Sequence, residues 1–235
     1  MLCGRQHLFF HLQQSRCCGK EPGEPATSHR FAEIAFTPSV QAEQEKHGSR
    51  RQYVRMQAQA GPNNDLGAVE AKFLEQADSF YLASVSESGW PYVQHRGGPR
   101  GFLKVLSPSQ LAFADFRGNR QYVSAGNAAA DDRVSLIVVD YTHRRRLKLF
   151  GHLLFIDVAD AEVALLDAVT SPAYAARVER VAVIDVEAFD WNCPQHITQR
   201  FTLEQIEEAV HPLRARIAEL EDELSALRAQ RADAL

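Results

Sequence analysis

In the run FADFRGNRQYV, Phe113 to Val123, an apolar strand-like segment stops at Arg117-Gly118-Asn119-Arg120 and gives way to a polar, helix-compatible stretch. The amide of Asn119, the guanidinium of Arg120 and the first backbone N–H groups of a helix are donors suited to one anion, and a guanidinium's planar fork meets a phosphate bidentately. A helix N-terminus adds partial positive charge at the same place. The competing reading is a solvated turn. More cations stand at strand-compatible positions: His95-Arg96 and Arg100 before one strand, Lys104 within it, and Arg144-Arg145-Arg146 entering another. Either they are strand-end surface groups in ion pairs of about 0–1 kcal/mol each, or they collect along one sheet edge around an anionic ligand.

The bulk charge makes any such site local. A formal net charge of −4 gives no general attraction to nucleic acid or anionic membrane. No apolar run reaches the roughly 18–20 residues that cross a bilayer, and His7 to Leu12 is too short for a signal segment, so a cytoplasmic protein is expected. Cys3, Cys17, Cys18 and Cys193 have no framework spacing and are read as reduced thiols. Cys193 and His196 supply two ligands where zinc takes four, so no metal site is read. The sequence contains no G-x-S-x-G, no P-loop, no H-E-x-x-H and no G-x-G-x-x-G, so the local signatures of serine hydrolases, NTPases, zinc proteases and Rossmann dehydrogenases are missing.

The elements that must position the loop are mostly strands. Residues 1–28 lack periodicity and read as a loose N-terminal extension. Thr37 can cap a helix starting at Pro38 and ending near His47-Gly48. Asp65 to Ala77 reads as a helix with Leu66, Val69, Phe73 and Leu74 on one face. Strands follow at Phe80–Ser86 and Pro91–His95, joined by Glu87-Ser88-Gly89, and then at 102–106, 111–116, 134–140, 147–158 and 181–189. Helical segments interrupt them only near 120–130 and 160–179. The pattern predicts a mainly β, α+β chain with flanking helices built on an antiparallel barrel, over residues 29–200.

Residues 201–235 form a different kind of segment. Leu203, Ile206, Val210, Leu213, Ile217, Leu220, Leu224 and Leu227 are spaced 3, 4, 3, 4, 3, 4, 3, behind a Thr202-x-x-Gln205 capping box. Pro212 should kink this rod or start a second helix. Two readings stay open, an amphipathic helix lying on its own domain and a coiled coil between subunits.

The run GNRQYVSAGNAAADDRVSLI, followed by RRRLKLFG, resembles the FMN-binding core of the pyridoxamine 5′-phosphate oxidase superfamily. In that family a strand ends in a Gly-Ser-Arg-Lys-like loop, and a helix then leads to an Arg-Val-Ser-Leu strand, here Arg133 to Leu136. The resemblance spans about Ala71 to Val158; FTPSV from Phe36 and WNCPQHI from Trp191 are similar to a branch of flavin-nucleotide-binding relatives. It implies a split β-barrel, FMN as cofactor and a homodimer with two FMN sites at the subunit interface. Carried over by position, it puts Asn119 and Arg120 on the FMN phosphate, with Gln121 where the family often has a second cation. Arg96 and Lys104 would flank the strand beside the isoalloxazine ring, and Ala114 and Asp115 the ribityl chain. Arg146 sits where a flavin-contacting glutamine is common, and a cation there would stabilise the anionic reduced ring. Gln195, His196 and Arg200 would reach the partner's flavin, His196 as candidate proton donor; the alternative for His196 is a hydrogen-bonded structural histidine.

A true pyridoxamine phosphate oxidase ends in a distinctive Arg-, Trp- and Leu-rich segment, whereas this chain continues into the heptad helix. The expected function is therefore an FMN-dependent oxidoreductase acting on another small molecule through flavin N5. The alternative is a non-catalytic, flavin-sequestering dimer whose coiled coil recruits a partner. A third reading is a haem- or deazaflavin-binding relative on the same barrel.

Overall fold

The computed structural model describes residues 29–59, 61–192 and 194–233. The segment expected to be a loose extension, residues 1–28 with its three cysteines, lies outside the described residues, as does Cys193. The chain divides into two units, the first ending at Pro62 and the second beginning at Asn63.

The first unit is helical: α1 is Arg30–Ala35, α2 is Pro38–Lys46 and α3 is Arg50–Gln59. Thr37 stands at the N-cap of α2 with Pro38 in the first turn, though the threonine hydroxyl makes no capping hydrogen bond. Gly48 at φ +73° ends that helix. Helix α3 has no core-facing apolar stripe to announce it, and its Arg, Gln, Met and Ala residues form helix through propensity. Arg50 ties the pair, donating to the side-chain oxygens of Gln41 at 3.2 Å and Gln57 at 3.2 Å.

In the second unit α4 is Ala68–Leu74, shorter than the Asp65–Ala77 helix the periodicity suggests. Phe73 and Leu74 are buried, but Val69 is 59% exposed. Over two turns the shared face is 70, 73 and 74, so Glu70 turns inward instead and accepts from Trp191 Nε1 at 2.7 Å.

Seven strands follow: β1 Ser79–Val85, β2 Pro91–Gly97, β3 Lys104–Ser107, β4 Gln110–Phe116, β5 Arg133–Asp140, β6 Arg145–Asp157 and β7 Val178–Asn192. They form one sheet in the order β2-β1-β5-β6-β7-β4-β3, every neighbouring pair antiparallel. Phe102 and Leu103, expected in β3, precede it in a turn where Gly101 takes φ +77°, and both are buried. Phe80 on β1 and Phe113 on β4 are separated by three strands, yet their rings meet edge to face at 5.2 Å. The sheet therefore curls around its own core while β2 and β3 remain unjoined edges: a split β-barrel, as the sequence led us to expect.

Three helices flank it: α5 Val123–Ala130, α6 Val163–Val169 and α7 Leu203–Asp233. Helix α6 ends early because Ser171-Pro172 follows. Helix α7 is continuous through Pro212, so the proline starts no second helix; it removes one N–H from a ladder whose neighbouring bonds persist. No helix among the described residues is long and apolar enough to cross a membrane.

Candidate functional site

Strand β4 buries both of its faces. Leu111 and Phe113 enter the main core, whereas Ala112 and Ala114 pack with Val169, Val181 and Val183 under α6. The same alternation carries Asp115 to the inner face at the end of the barrel, 4% exposed, where a carboxylate must be paired. Arg96 of β2 donates Nη1 to one of its oxygens at 2.5 Å, and Arg180 of β7 donates Nε to the other at 3.0 Å. The Phe155 ring supports both cations, at 5.9 Å from Arg96 and 4.5 Å from Arg180, and Tyr122 stacks 5.0 Å from Arg180.

Two guanidiniums around one carboxylate leave a net positive charge. Burial pulls the Arg96 pKa down from its ordinary value, Asp115 works against that shift, and Arg180 adds a smaller downward push. Arg96 Nε is buried and meets no hydrogen-bond acceptor among the described residues.

The loop beyond β4 is held in an unusual backbone conformation. Arg117 N donates to Arg177 O at 2.8 Å, fixing the loop to the start of β7. Asn119 Oδ1 then accepts from Gln121 N at 3.2 Å, an Asx-type turn. Arg120 and Tyr122 both lie in the left-handed region, at φ +60° and +53°, which costs about 1–2 kcal/mol per residue and needs surrounding contacts to persist. Those contacts run through Tyr122, whose hydroxyl donates to Glu179 at 3.2 Å and accepts from Arg120 Nε at 3.3 Å. The hydrogen bond to Tyr122 and the charge of Glu179 raise the Arg120 pKa.

Helix α5 starts directly from Tyr122, and its first N–H groups have no acceptor within the helix. Its position is set by Ser124 Oγ donating to Gln94 at 2.8 Å and by Asn127 Nδ2 donating to Ser84 Oγ at 3.0 Å. Between these parts lies a cleft of about 50 Å³. Its walls are Tyr92, Gln94 and Arg96 of β2, Asp115 and Phe116 of β4, the 118–122 loop, the first turn of α5, and Glu179 and Arg180 of β7.

Of the residues singled out from sequence, Arg96, Asp115, Asn119, Arg120 and Gln121 come together on this cleft. Ala114 points to the opposite face of β4. Lys104 lies on the edge strand β3, opposite Ala112 and not on the cleft. Arg146 pairs in register with Asn192. It stands nine residues along β6 from Phe155, roughly 30 Å at strand rise, and its buried Nε also lacks an acceptor among the described residues. Gln195 and His196 are exposed just beyond β7, at that same far end. The three consecutive arginines do not act as one patch: Arg144 makes a turn at φ +53°, and Arg145 stacks on Trp191 at 4.4 Å.

Arg180, Tyr122 and Glu179 are functional neighbours that sequence reasoning passed over. The available signal was Asp115 itself, a carboxylate inside LAFADF that demands a buried cation. Among the described residues there is no cluster of three or more His, Cys, Asp or Glu side chains able to hold a metal ion.

The profile of the family described as "Pyridoxamine 5'-phosphate oxidase" matches residues 68–191, more than half of the 235-residue chain. No curated protein matches the sequence significantly. Solved structures similar to it include HupZ of Group A Streptococcus (TM-score 0.44, 11% identity, 58% of this chain and 99% of that one). An FMN-binding protein from Syntrophomonas wolfei subsp. wolfei is similar at TM-score 0.38 and 11% identity, covering 63% of this chain and 97% of that one. A pyridoxamine 5′-phosphate oxidase-related, FMN-binding protein from Nostoc punctiforme PCC 73102 is similar at TM-score 0.36 and 15% identity, covering 52% and 77%.

Proposed function

Since the chain belongs to the pyridoxamine 5′-phosphate oxidase family, we propose that the cleft at Arg96, Asn119 and Arg120 takes the phosphate of FMN and that the protein is a cytoplasmic FMN-dependent oxidoreductase acting on a small molecule through flavin N5. The observation that carries this reading is Arg96, whose guanidinium lines a cleft with excess positive charge and whose buried Nε has no acceptor among the described residues. An anion of phosphate size in the cleft would meet the excess positive charge, the loop amides and the first turn of α5 together. FMN, when bound, supplies the two-electron chemistry, and the protein supplies binding, orientation and electrostatics.

A cleft of about 50 Å³ has room for a few water-sized groups, enough for a phosphate and too little for a three-ring system. The ring would then be held outside the cleft, by residues of a second copy of the chain. Arg146 and Gln195, remote from their own chain's cleft, are the residues that a partner presents to it, with His196 beside them as the candidate proton donor. In this arrangement Asp115 holds Arg96 and Arg180 in place and does not touch the ribityl chain.

The test is a titration of the purified protein with FMN, followed by addition of NADPH or NADH under anaerobic conditions. Stoichiometric binding and bleaching of the flavin absorbance are expected. Protein that is colourless and takes up no FMN overturns the cofactor assignment. Binding without reduction by either nucleotide or by small-molecule donors favours the sequestering dimer, and preference for a deazaflavin or haem shows that the barrel serves another cofactor.

A further inference from the structure

Helix α7 carries a conspicuous unmet need. Its base is clamped to the β5–β6 turn: Thr142 Oγ1 hydrogen-bonds Arg200 O at 3.0 Å, Gln199 Nε2 donates to Thr142 O at 2.8 Å, and Arg200 stacks 4.7 Å from Tyr141. Thr202 and Gln205 close a reciprocal capping box at 2.9 and 3.2 Å. Beyond that clamp the apolar seam is open. Seven of its eight members are 46–79% exposed, Leu203 most of all, in a helix 31 residues long. An apolar stripe of this length facing water needs a partner.

The seam's period and flanks identify that partner. The 3-4 spacing places Leu203, Val210, Ile217 and Leu224 at a and Ile206, Leu213, Leu220 and Leu227 at d. In the central layers, β-branched Val210 and Ile217 at a with Leu213 and Leu220 at d favour two parallel strands. The flanking g and e positions then pair across chains five residues apart. Arg216 meets Glu221 of the second strand, Glu223 meets Arg228, and twofold symmetry doubles both attractive pairs. With the same seam fully overlapped in the antiparallel sense, Arg216 faces Arg216, Arg214 faces Arg214 and Glu207 faces Glu221, all repulsive. Pro212 falls at c, outside the seam, so its missing N–H leaves the apolar layers intact. Within one chain Arg216 is 2.8 Å from Glu219, a surface pair of the kind readily exchanged for an interchain one.

We propose that α7 pairs in parallel and in register with α7 of a second copy of this chain, forming a two-stranded coiled coil. The pairing is independent of what the cleft binds. It points two barrels the same way from a common stalk, with the clamp at Thr142 setting where the stalk leaves each barrel.

The test is disulfide trapping in the full chain, with the parent protein and its four native cysteines measured as background. Leu227→Cys is expected to cross-link to itself under mild oxidation at least tenfold faster than Ser225→Cys, which lies at the outward b position. Adding Arg216→Glu to the Leu227→Cys chain is expected to slow that reaction at least threefold by creating a Glu–Glu contact. Glu221→Arg in the same chain is expected to restore it. In an antiparallel pair the two 227 positions stand about 36 Å apart and each faces Leu203. Selective cross-linking of Leu227→Cys to Leu203→Cys in a mixture therefore overturns the proposal. Equal rates at 225 and 227, or no cross-link at either, overturn it as well, because both leave the seam without a second strand.

Discussion

Arg96 on β2 donates a hydrogen bond to Asp115 on β4 at 2.5 Å, although β1, β5, β6 and β7 lie between those strands in the sheet. The contact spans the split in the barrel, where backbone pairing has run out, and Arg180 of β7 completes it on the other carboxylate oxygen. The same three side chains thus hold the open end together and wall the cleft. Electrostatic closure at this point serves the fold and the site at once, because a carboxylate placed between two guanidiniums immobilises both while leaving one positive charge over.

Removing the carboxylate exposes that arrangement. Asp115→Ala leaves two largely buried guanidiniums, 14% and 15% exposed, without their counter-charge, and breaking a buried pair this way costs up to about 3–5 kcal/mol. Urea unfolding should show a lower midpoint with an unchanged slope. A loss below about 1 kcal/mol would mean that water already reaches both cations.

Arg120 is exposed, so Arg120→Ala should leave the barrel as stable as the parent while weakening FMN binding by about 1.5–3 kcal/mol, the usual loss of a charge-assisted contact. Fluorescence titration measures this directly. Parent-like affinity would remove Arg120 from the phosphate site. Tyr122→Phe, which deletes the hydroxyl linking Arg120 to Glu179, should cost about 0.5–1.5 kcal/mol of affinity by loosening the loop.

The strand count, the antiparallel connections, the C-terminal helix and the turn after β4 were all legible, because alternation, glycine turns and a 3-4 repeat are local signals. The sheet order was not. Nothing in LAFADF says that Asp115 will meet a residue from β2, and Arg180 fell one position outside the apolar run expected as a strand, Val181 to Phe189. Val69 misled for a related reason: in a two-turn helix the buried face is set by what it meets, here Trp191, rather than by the apolar count. Correspondence along the chain does not say which face or end of a strand a residue occupies, which is why Lys104 and Ala114 fall off the cleft and Arg146 and Gln195 stand at the far end of the strands.

Arg146 tests the two-copy arrangement separately from the phosphate cleft. Its buried Nε, without an acceptor among the described residues, stands at the far end of β6, so Arg146→Gln should leave FMN affinity within a factor of a few. If it faces the partner's ring, loss of the cation should lower the flavin potential on the order of 30 mV, the two-electron equivalent of about 1.4 kcal/mol. Spectroscopic redox titration reads the shift, and a potential equal to the parent's would contradict the contact.

Asp131 gives the chain a pH-dependent contact at the start of β5. The side-chain hydrogen bond from Arg133, and then its backbone N–H, lower the Asp131 pKa to about 2. Its folded value lies below its unfolded one, so the stabilisation is fully present above about pH 4 and is lost as the pH falls through about 2. A carboxyl NMR titration should place its midpoint near 2 in the parent and higher in Arg133→Gln, which keeps only the backbone N–H donor. Coincident midpoints would show that the pair does not form in solution.

Gly151 and Gly118 look alike in the sequence and should respond oppositely to alanine. At Gly151 the β6–β7 register slips, Phe150 facing Ala188 and Gly151 facing Val186, and the strands press close enough that a Cβ would sit 2.5 Å from Asp185 O and 2.8 Å from Ile184 Cγ2. Both obstacles belong to a central strand that cannot retreat without disturbing β4, so Gly151→Ala should lose about 1–3 kcal/mol of stability. At Gly118, in the loop after β4, a Cβ meets nothing within 4 Å and the backbone is not left-handed, so alanine should change stability by less than about 0.5 kcal/mol. Thermal unfolding of the two variants decides it. If Gly118→Ala proves the more damaging, close backbone approach in this protein occurs at the loop and not between the long strands, and the loop must take up a tighter conformation in solution than its open surroundings require.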